Sequence, residues 1–314
     1  MNFKQFEYVL AVNQQRHFGH AAEECEVSQA TLSEMIKRLE EELGYSLFDR
    51  SSYPIKPTQE GLAFVEKAAE ILKLRRQLLI TVPDKEGPLM GTLRLGIIPT
   101  VANRLIPLVL KSFMEDHPKL KISLEELPTE EVLKRLSMDR LDLGIVSTPL
   151  PKGSFEVEEE ILYYEPMLVY GLKEGDELAV NRDDLQKDEV WLLEEKHCFR
   201  NQSMNVCGIG KRQKGSNQLD FKGNSFDSLI DLSDEFGGYT LIPDLFAKNL
   251  DSERKKKIRQ ISQPTPVREI SLISAKPVIK KRILLTLAEH IKKIVLPLLQ
   301  SNQLPNKELE IIEM

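Results

Sequence analysis

Apolar residues three and four apart open the chain. Phe3, Phe6, Val9 and Leu10 mark one helical face, and Phe18, Ala21, Ala22 and Cys25 mark a second. Leu32, Met35, Ile36, Leu39 and Leu43 mark a third. Between the second and third, Glu26-Val27-Ser28 reads as a tight turn whose Ser28 hydroxyl caps the third helix, which Gly44 ends. The stretch from Leu47 to Pro57 predicts a short β-hairpin, a wing. Helix, turn, helix, wing is a DNA-reading order in which the third helix enters the major groove.

A fourth helix is expected from Thr58, free of Pro and Gly between Leu62 and Thr81. On it Leu62, Val65, Ala69, Leu72 and Leu79, with Arg76 in the missing seam position, form a heptad stripe of under three repeats. The stripe suits pairing with a second copy; packing on the helix's own domain is the alternative. Pro83 to Pro88 reads as a linker. From Thr92 the period changes. Strands over 93–98, 121–124 and 141–146 alternate with helices over 105–114 and 132–136, which implies parallel sheets in two small α/β lobes with a cleft between them.

Composition narrows the function. With 41% apolar and 29% charged residues, 16 Gly, 17 Pro and three Cys, the 314-residue chain is neither fibrous, disordered nor a disulfide scaffold. The most apolar stretch, Ile283 to Leu299, is broken by Glu289, His290, Lys292 and Lys293, so no bilayer span is expected. The N-terminus lacks the apolar core of a secretion signal, and a cytoplasmic location is the expectation. There a cysteine pair is more often catalytic, metal-binding or redox-sensing than structural. The net charge is −6, and residues 1–58 carry six Lys and Arg against nine Asp and Glu. Only the third helix and wing offer a DNA-compatible surface: Gln29, Thr31, Ser33, Lys37, Arg38, Arg50 and Lys56. Gln29 suits a base edge, whereas Ser33, Arg38 and Arg50 suit phosphates.

Phe18 through Phe48, with Ala21-Ala22, Val27-Ser28-Gln29-Ala30-Thr31-Leu32-Ser33, Ile36, Leu39-Glu40 and Leu43-Gly44, closely resembles the winged helix-turn-helix of LysR-type transcriptional regulators. Thr58-Gln59-Glu60-Gly61 resembles the start of that family's linker helix. Ala30 departs from the Pro usual there, at small cost because Ala is a good helix former. The resemblance covers the chain in order. It implies an α/β protein with an all-α N-terminal module: a winged helix-turn-helix over 1–58, a dimerising linker helix and hinge over 59–88, a two-lobed regulatory domain like periplasmic binding proteins over 89–300, and a tail over 301–314.

Within that family, Leu192 through Gln202 followed by Cys207 resembles the redox segment of the peroxide-responsive members, and Ile98-Pro99-Thr100-Val101 and Thr129 resemble their peroxide pocket. The resemblance implies a cytoplasmic homodimer assembling to a tetramer, not an enzyme and needing no cofactor, that senses hydrogen peroxide and activates antioxidant genes. Its implied partners are double-stranded DNA, RNA polymerase and a glutaredoxin- or thioredoxin-type reductant. A LysR-type regulator of a small organic effector, and a thiol peroxidase carrying a DNA-binding module, remain the alternatives.

The residues themselves fit that chemistry. A thiolate attacks peroxide, and Lys196, His197 and Arg200 make the sequence around Cys198 electropositive. The sulfenic acid formed condenses with a second thiol, for which Cys207 is the candidate. Two buried, inert cysteines are the bland alternative; zinc on His197, Cys198 and Cys207 lacks a fourth ligand. Cys25, among Glu23, Glu24 and Glu26, is expected to be inert core. Thr100 and Thr129 each follow a strand and precede a helix, where open α/β sheets bind ligands, although plain N-capping would explain either. His197 would orient a water or polarise the site, and Arg268, just before an expected strand at Glu269–Ile273, resembles a cation near the pocket. If Cys198 to Cys207 begins as helix, a disulfide requires it to rebuild, with Gly208 and Gly210 easing the change and Lys211–Lys214 shifting.

Overall fold

Asn2 starts the first helix. Its side chain accepts from Gln5 N at 3.0 Å while Gln5 Oε1 accepts from Asn2 N at 2.8 Å, a reciprocal cap on α1 (Phe3–Gln15). In this computed structural model the described residues are 1–80, 87–151, 156–172, 179–185, 189–208, 221, 223–299, 301 and 308–313, with backbone alone for residues 73, 76, 77, 79 and 80. Part of the linker (residues 83–86), Gly210 and Lys211–Lys214 lie outside them.

The chain divides into two units, 1–83 and 84–314. In the first, α1, α2 (Phe18–Glu24) and α3 (Gln29–Leu43) close on Val9, Val12, Ala21, Leu32, Ile36, Leu39 and Leu47. Ser28 Oγ accepts from Thr31 N at 3.1 Å, and Gly44, at φ +81°, ends α3 in the left-handed region that glycine tolerates. The wing is minimal: β1 (Phe48–Asp49) pairs antiparallel with β2 (Lys56–Pro57). Cys25 is the C-cap of α2, which ends at Glu24, and packs half-buried against this core.

α4 (Gln59–Ile80) splits the predicted stripe. Val65 packs inward with Phe64 and Ala68, and Arg75 reaches Glu7 at 3.1 Å and covers the Phe3 ring. Leu62 stays exposed, and so do Ile71, Leu74 and Leu78 farther along the helix. The reading of a helix packed on its own domain holds for Val65. The side chains of Arg76 and Leu79 are outside the described residues.

The second unit alternates as expected at first: β3 (Gly91–Ile97), α5 (Pro99–Asp116), β4 (Leu120–Glu126), α6 (Thr129–Ser137) and β5 (Leu143–Thr148). β3 is parallel to β4 and β5. A Cβ at Gly144 would stand 2.4 Å from Val132 Cγ1, so the missing side chain lets α6 lie close on the sheet. Then come β6 (Val157–Tyr170), β7 (Ala179–Val180), α7 (Arg182–Leu185), β8 (Val190–Trp191), α8 (Cys198–Cys207) and α9 (Phe226–Phe236). After them follow β9 (Tyr239–Pro243), α10 (Asp244–Ala247), α11 (Ser252–Lys256), β10 (Ile258–Ile261), β11 (Thr265–Ala275), α12 (Lys281–Val295) and β12 (Leu309–Ile311).

The purely parallel expectation fails at β6 and β11, which pair antiparallel with each other. β11 is antiparallel to β5 as well, and β9 to β6. The reason is length. β6 contributes Leu162 and Tyr163 to the first lobe's core and Met167, Leu168, Val169 and Tyr170 to the second's, so long strands carry the chain between lobes. The last segment also enters the sheet: β12 pairs parallel with β11, and Ile312 is buried in the second core. Among the described residues no helix is long and apolar enough to cross a membrane.

Candidate functional site

Three helix N-termini meet where the two cores join. Thr100 sits in the first turn of α5, Thr129 opens α6 and Cys198 opens α8. Neither threonine caps its helix, for the N-cap residues are Ile98 and Pro128, without a side-chain bond. The capping explanation therefore fails. The buried Thr100 hydroxyl accepts from Arg268 Nη1 at 3.1 Å, and its carbonyl accepts from Nη2 at 3.1 Å. The Thr129 hydroxyl, also buried, faces the Cys198 sulfur and favours its thiolate, yet meets full hydrogen-bond geometry with no group among the described residues.

Arg268 lies inside β11, not before it, and is 1% exposed. Its Nε and Nη2 donate to Glu165 Oε2 at 2.8 and 2.7 Å, and the guanidinium lies 5.1 Å from the centre of the Phe199 ring. Glu165 comes from β6; its other oxygen accepts from Leu245 N at 2.9 Å, at the start of α10. Burial pushes the Glu165 carboxyl up, with Arg268 opposing. Removing one partner of such a buried pair typically costs about 3–5 kcal/mol, because the other charge is left uncompensated. Beside them the Tyr163 hydroxyl is buried without a partner among the described residues.

Cys198 is half-buried, and burial pushes its thiol up; Arg268, the Thr129 hydroxyl and the backbone N–H of Phe199 oppose this. The expected activation by sequence neighbours does not occur. Lys196 is exposed, Arg200 Nη1 donates to the Leu193 carbonyl at 2.8 Å, and the His197 ring pairs with Asn224 Oδ1 at 3.2 Å. The cation that acts on Cys198 comes from β11. Cys207, at the other end of α8, is fully buried, and burial pushes its thiol up to about 11. Both are free thiols. Nine helical steps place them about 13 Å apart along the axis and on opposite faces.

A pH prediction follows. With its pKa raised, Cys198 is mostly protonated at pH 7, and the thiolate fraction climbs about tenfold per pH unit below the midpoint. Alkylation of the native protein by iodoacetamide should therefore accelerate about tenfold between pH 7 and 8 at Cys198 and leave Cys207 unmodified. A rate already level by pH 7 would mean that the site holds Cys198 as the thiolate and that burial does not dominate.

α8 is also tied along its length. Gln202 Nε2 donates to Ser147 Oγ and to the Ile312 carbonyl, both at 3.0 Å, and Asn205 Nδ2 donates to the Glu313 carbonyl at 3.1 Å.

On the first unit, Ser28, Gln29 and Thr31 stand exposed on the first turn of α3, with Ser33 half-buried behind them. Each candidate phosphate cation has an acidic companion: Lys37 with Glu41 at 3.7 Å, Arg38 with Glu34 at 2.9 Å and Arg50 with Glu40 at 2.9 Å. Exposed pairs of this kind contribute little and can be exchanged for phosphate. Sequence reasoning missed Glu40, which also accepts from Leu47 N at 2.7 Å and so ties α3 to the wing. It missed Glu165 too, although a lone carboxylate in the apolar run from Leu162 to Tyr170 was a visible signal.

The LysR substrate binding domain profile matches residues 86–293, and that of the bacterial regulatory helix-turn-helix protein, lysR family, matches 3–62. The Hydrogen peroxide-inducible genes activator of Haemophilus influenzae is 30% identical over 275 residues, covering 87% of this chain and 90% of its own. The DNA-binding transcriptional dual regulator OxyR of Escherichia coli is 32% identical over 279 residues, covering 87% and 89%. Among solved structures, full-length OxyR from Pseudomonas aeruginosa shares the fold, with a TM-score of 0.65 at 24% identity over 93% of this chain and 98% of that one.

Proposed function

This chain belongs to the LysR family of bacterial transcriptional regulators, and from that premise we propose that it is a hydrogen-peroxide-responsive regulator, mainly an activator of antioxidant genes. Residues 1–58 read DNA through Ser28, Gln29, Thr31, Ser33, Lys37, Arg38 and Arg50, residues 59–88 pair two copies, and residues 89–300 sense the signal. The single observation behind the reading is the meeting of a thiol, an unpartnered Thr129 hydroxyl, Thr100 and a buried arginine at three helix N-termini. The names of its relatives point the same way.

The chemistry balances without a cofactor. Thr100 and Thr129 would hold peroxide against Cys198, where α8's free N–H groups and Arg268 favour negative charge on sulfur. The thiolate attacks one peroxide oxygen; the S–O bond forms, the O–O bond breaks, and hydroxide leaves to become water. Sulfur has lost two electrons, as sulfenic acid. The Cys207 sulfur then displaces that oxygen as a second water, and the Cys198–Cys207 disulfide forms. A glutaredoxin- or thioredoxin-type dithiol would return both thiols. His197, fixed by Asn224, would order the rim of the pocket.

The test is a mass-spectrometric map of Cys198 and Cys207 before and after one equivalent of hydrogen peroxide. The expected result is a disulfide in the full chain and sulfenic or over-oxidised Cys198 in Cys207→Ser. Unmodified Cys198, with a transcriptional response kept in Cys198→Ser, would overturn the reading in favour of an organic effector.

A further inference from the structure

Arg268 is the cation that acts on the Cys198 thiol, and it is not free to do so in full. Two of its nitrogens lie 2.7–2.8 Å from one oxygen of Glu165, and both residues are about 99% buried. The remaining donors are aimed at Thr100, and the ring of Phe199, next to Cys198 on α8, lies under the guanidinium. Glu165 is fixed from behind by the Leu245 backbone N–H, so its carboxylate has little freedom to swing away.

From this arrangement we propose that Glu165 is a positioning residue that restrains Cys198: it aims Arg268 at Thr100 and cancels part of the positive field that would otherwise draw the proton from the thiol. The inference rests on the reading of Cys198 as the peroxide-reactive thiol. A sensor whose cysteine carried a bare buried arginine beside it would form thiolate readily and respond to background peroxide. With the carboxylate in place, the thiol stays mostly protonated and the threshold rises. Glu165 thereby sets sensitivity without touching the oxidant.

The other charged or titratable groups around the pair do not replace this role. Tyr163, from β6, presents a hydroxyl that burial keeps neutral. Asp244, from α10, is negative and pushes the Glu165 carboxyl up rather than supplying a cation. Arg104, from α5, lies over the Phe246 ring at 4.5 Å. His197, beside Cys198, is held by Asn224. The raised Cys198 thiol, opposed chiefly by Arg268, is in keeping with a cation held in check.

The experiment measures the pH profile of Cys198 alkylation by iodoacetamide in full-length protein carrying Glu165→Gln. In a medium of effective dielectric about 20, uncovering one buried unit charge moves a neighbouring pKa by about one unit. The Cys198 midpoint should therefore fall by about one pH unit, with alkylation at pH 7 about tenfold faster. The shift should shrink when Arg268→Gln is added, since the part that works by releasing the guanidinium is then lost. If Glu165→Gln does not fold, Glu165→Asp keeps the charge but withdraws it by one methylene, and the midpoint should fall by a smaller amount. A folded variant with an unchanged midpoint, or a full shift that persists with Arg268→Gln, would overturn the proposal. A shifted alkylation profile with no change in the rate of oxidation by hydrogen peroxide would uphold it and instead overturn the peroxide reading.

Discussion

Leu74→Asp should leave both units folded and reduce affinity for a cognate promoter fragment about 10²- to 10⁴-fold. Leu74 is 58% exposed, so its loss removes little from the folded chain, and surface changes of this kind usually stay within about 0.5 kcal/mol of stability. What it removes is an exposed leucine on α4 whose neighbours Ile71 and Leu78, three residues before and four after, are exposed with it. Residues 71, 74 and 78 follow the three-four spacing of a coiled-coil seam. Burying one leucine is worth roughly 1.5–3 kcal/mol, and a two-fold interface counts it twice. An aspartate there would instead place two like charges at the seam. A single reading module carries few net phosphate contacts, since Lys37, Arg38 and Arg50 each have an acidic companion. Linking two modules is what multiplies such weak contacts. Fluorescence anisotropy at fixed salt, read beside the association state in sedimentation, makes the comparison. Full affinity in a monomeric variant would remove α4 from the account.

That prediction shows where sequence periodicity stopped. The heptad count selected Val65 and Leu72 together with Leu62, because spacing alone does not say which of two apolar faces a helix turns to its own domain. Phe64 and Val65 pack on the first unit's core with Ala68 buried beside them, and the large apolar residues left exposed farther along are Ile71, Leu74 and Leu78. The local elements were otherwise legible. Caps at Ser28 and Gly44, the Pro that opens α5 and the alternation from β3 to β5 are encoded within a few residues of where they act.

The site was legible in its members and illegible in its electrostatics. Cys198, Thr100, Thr129 and Arg268 were named from sequence, and the structure brings them together. Which cations bear on the sulfur was misread, because sequence adjacency was taken for proximity. On a helix N-terminus, Arg200 turns back to Leu193 while a β11 residue supplies the charge. Glu165 showed as a lone carboxylate in an apolar run, but its role depends on β6 and β11 lying side by side, which pairs Arg268 with Glu165 in register.

Forming the Cys198–Cys207 disulfide should unwind α8 and loosen the C-terminal strand with it. The two cysteines lie at the ends of a continuous ten-residue helix, about 13 Å apart along its axis, whereas a disulfide needs Cα atoms within roughly 7 Å. The helix cannot survive closure. Gly208, already at φ +62°, is placed to absorb part of the change. Unwinding also breaks the bonds by which Gln202 holds Ser147 and Ile312 and Asn205 holds Glu313. Each is worth about 0.5–1.5 kcal/mol, and together they match the roughly 2.7 kcal/mol that a ten-residue loop closure represents in the entropy model. The reduced and oxidised forms are thus separated by a margin that redox chemistry can tip either way. β12 keeps its pairing with β11 and the Arg182–Glu310 ion pair, so the tail should loosen rather than detach. Hydrogen exchange should show amides of residues 200–206 losing about hundredfold protection on oxidation, the loss expected for about 3 kcal/mol of local stability, and residues 310–313 a smaller loss. Equal protection in both states, with the disulfide confirmed by mass, would mean that the bond closes without a conformational switch. Loosened residues 200–206 beside an unchanged tail would confine the change to α8 and show that Gln202 and Asn205 do not transmit it.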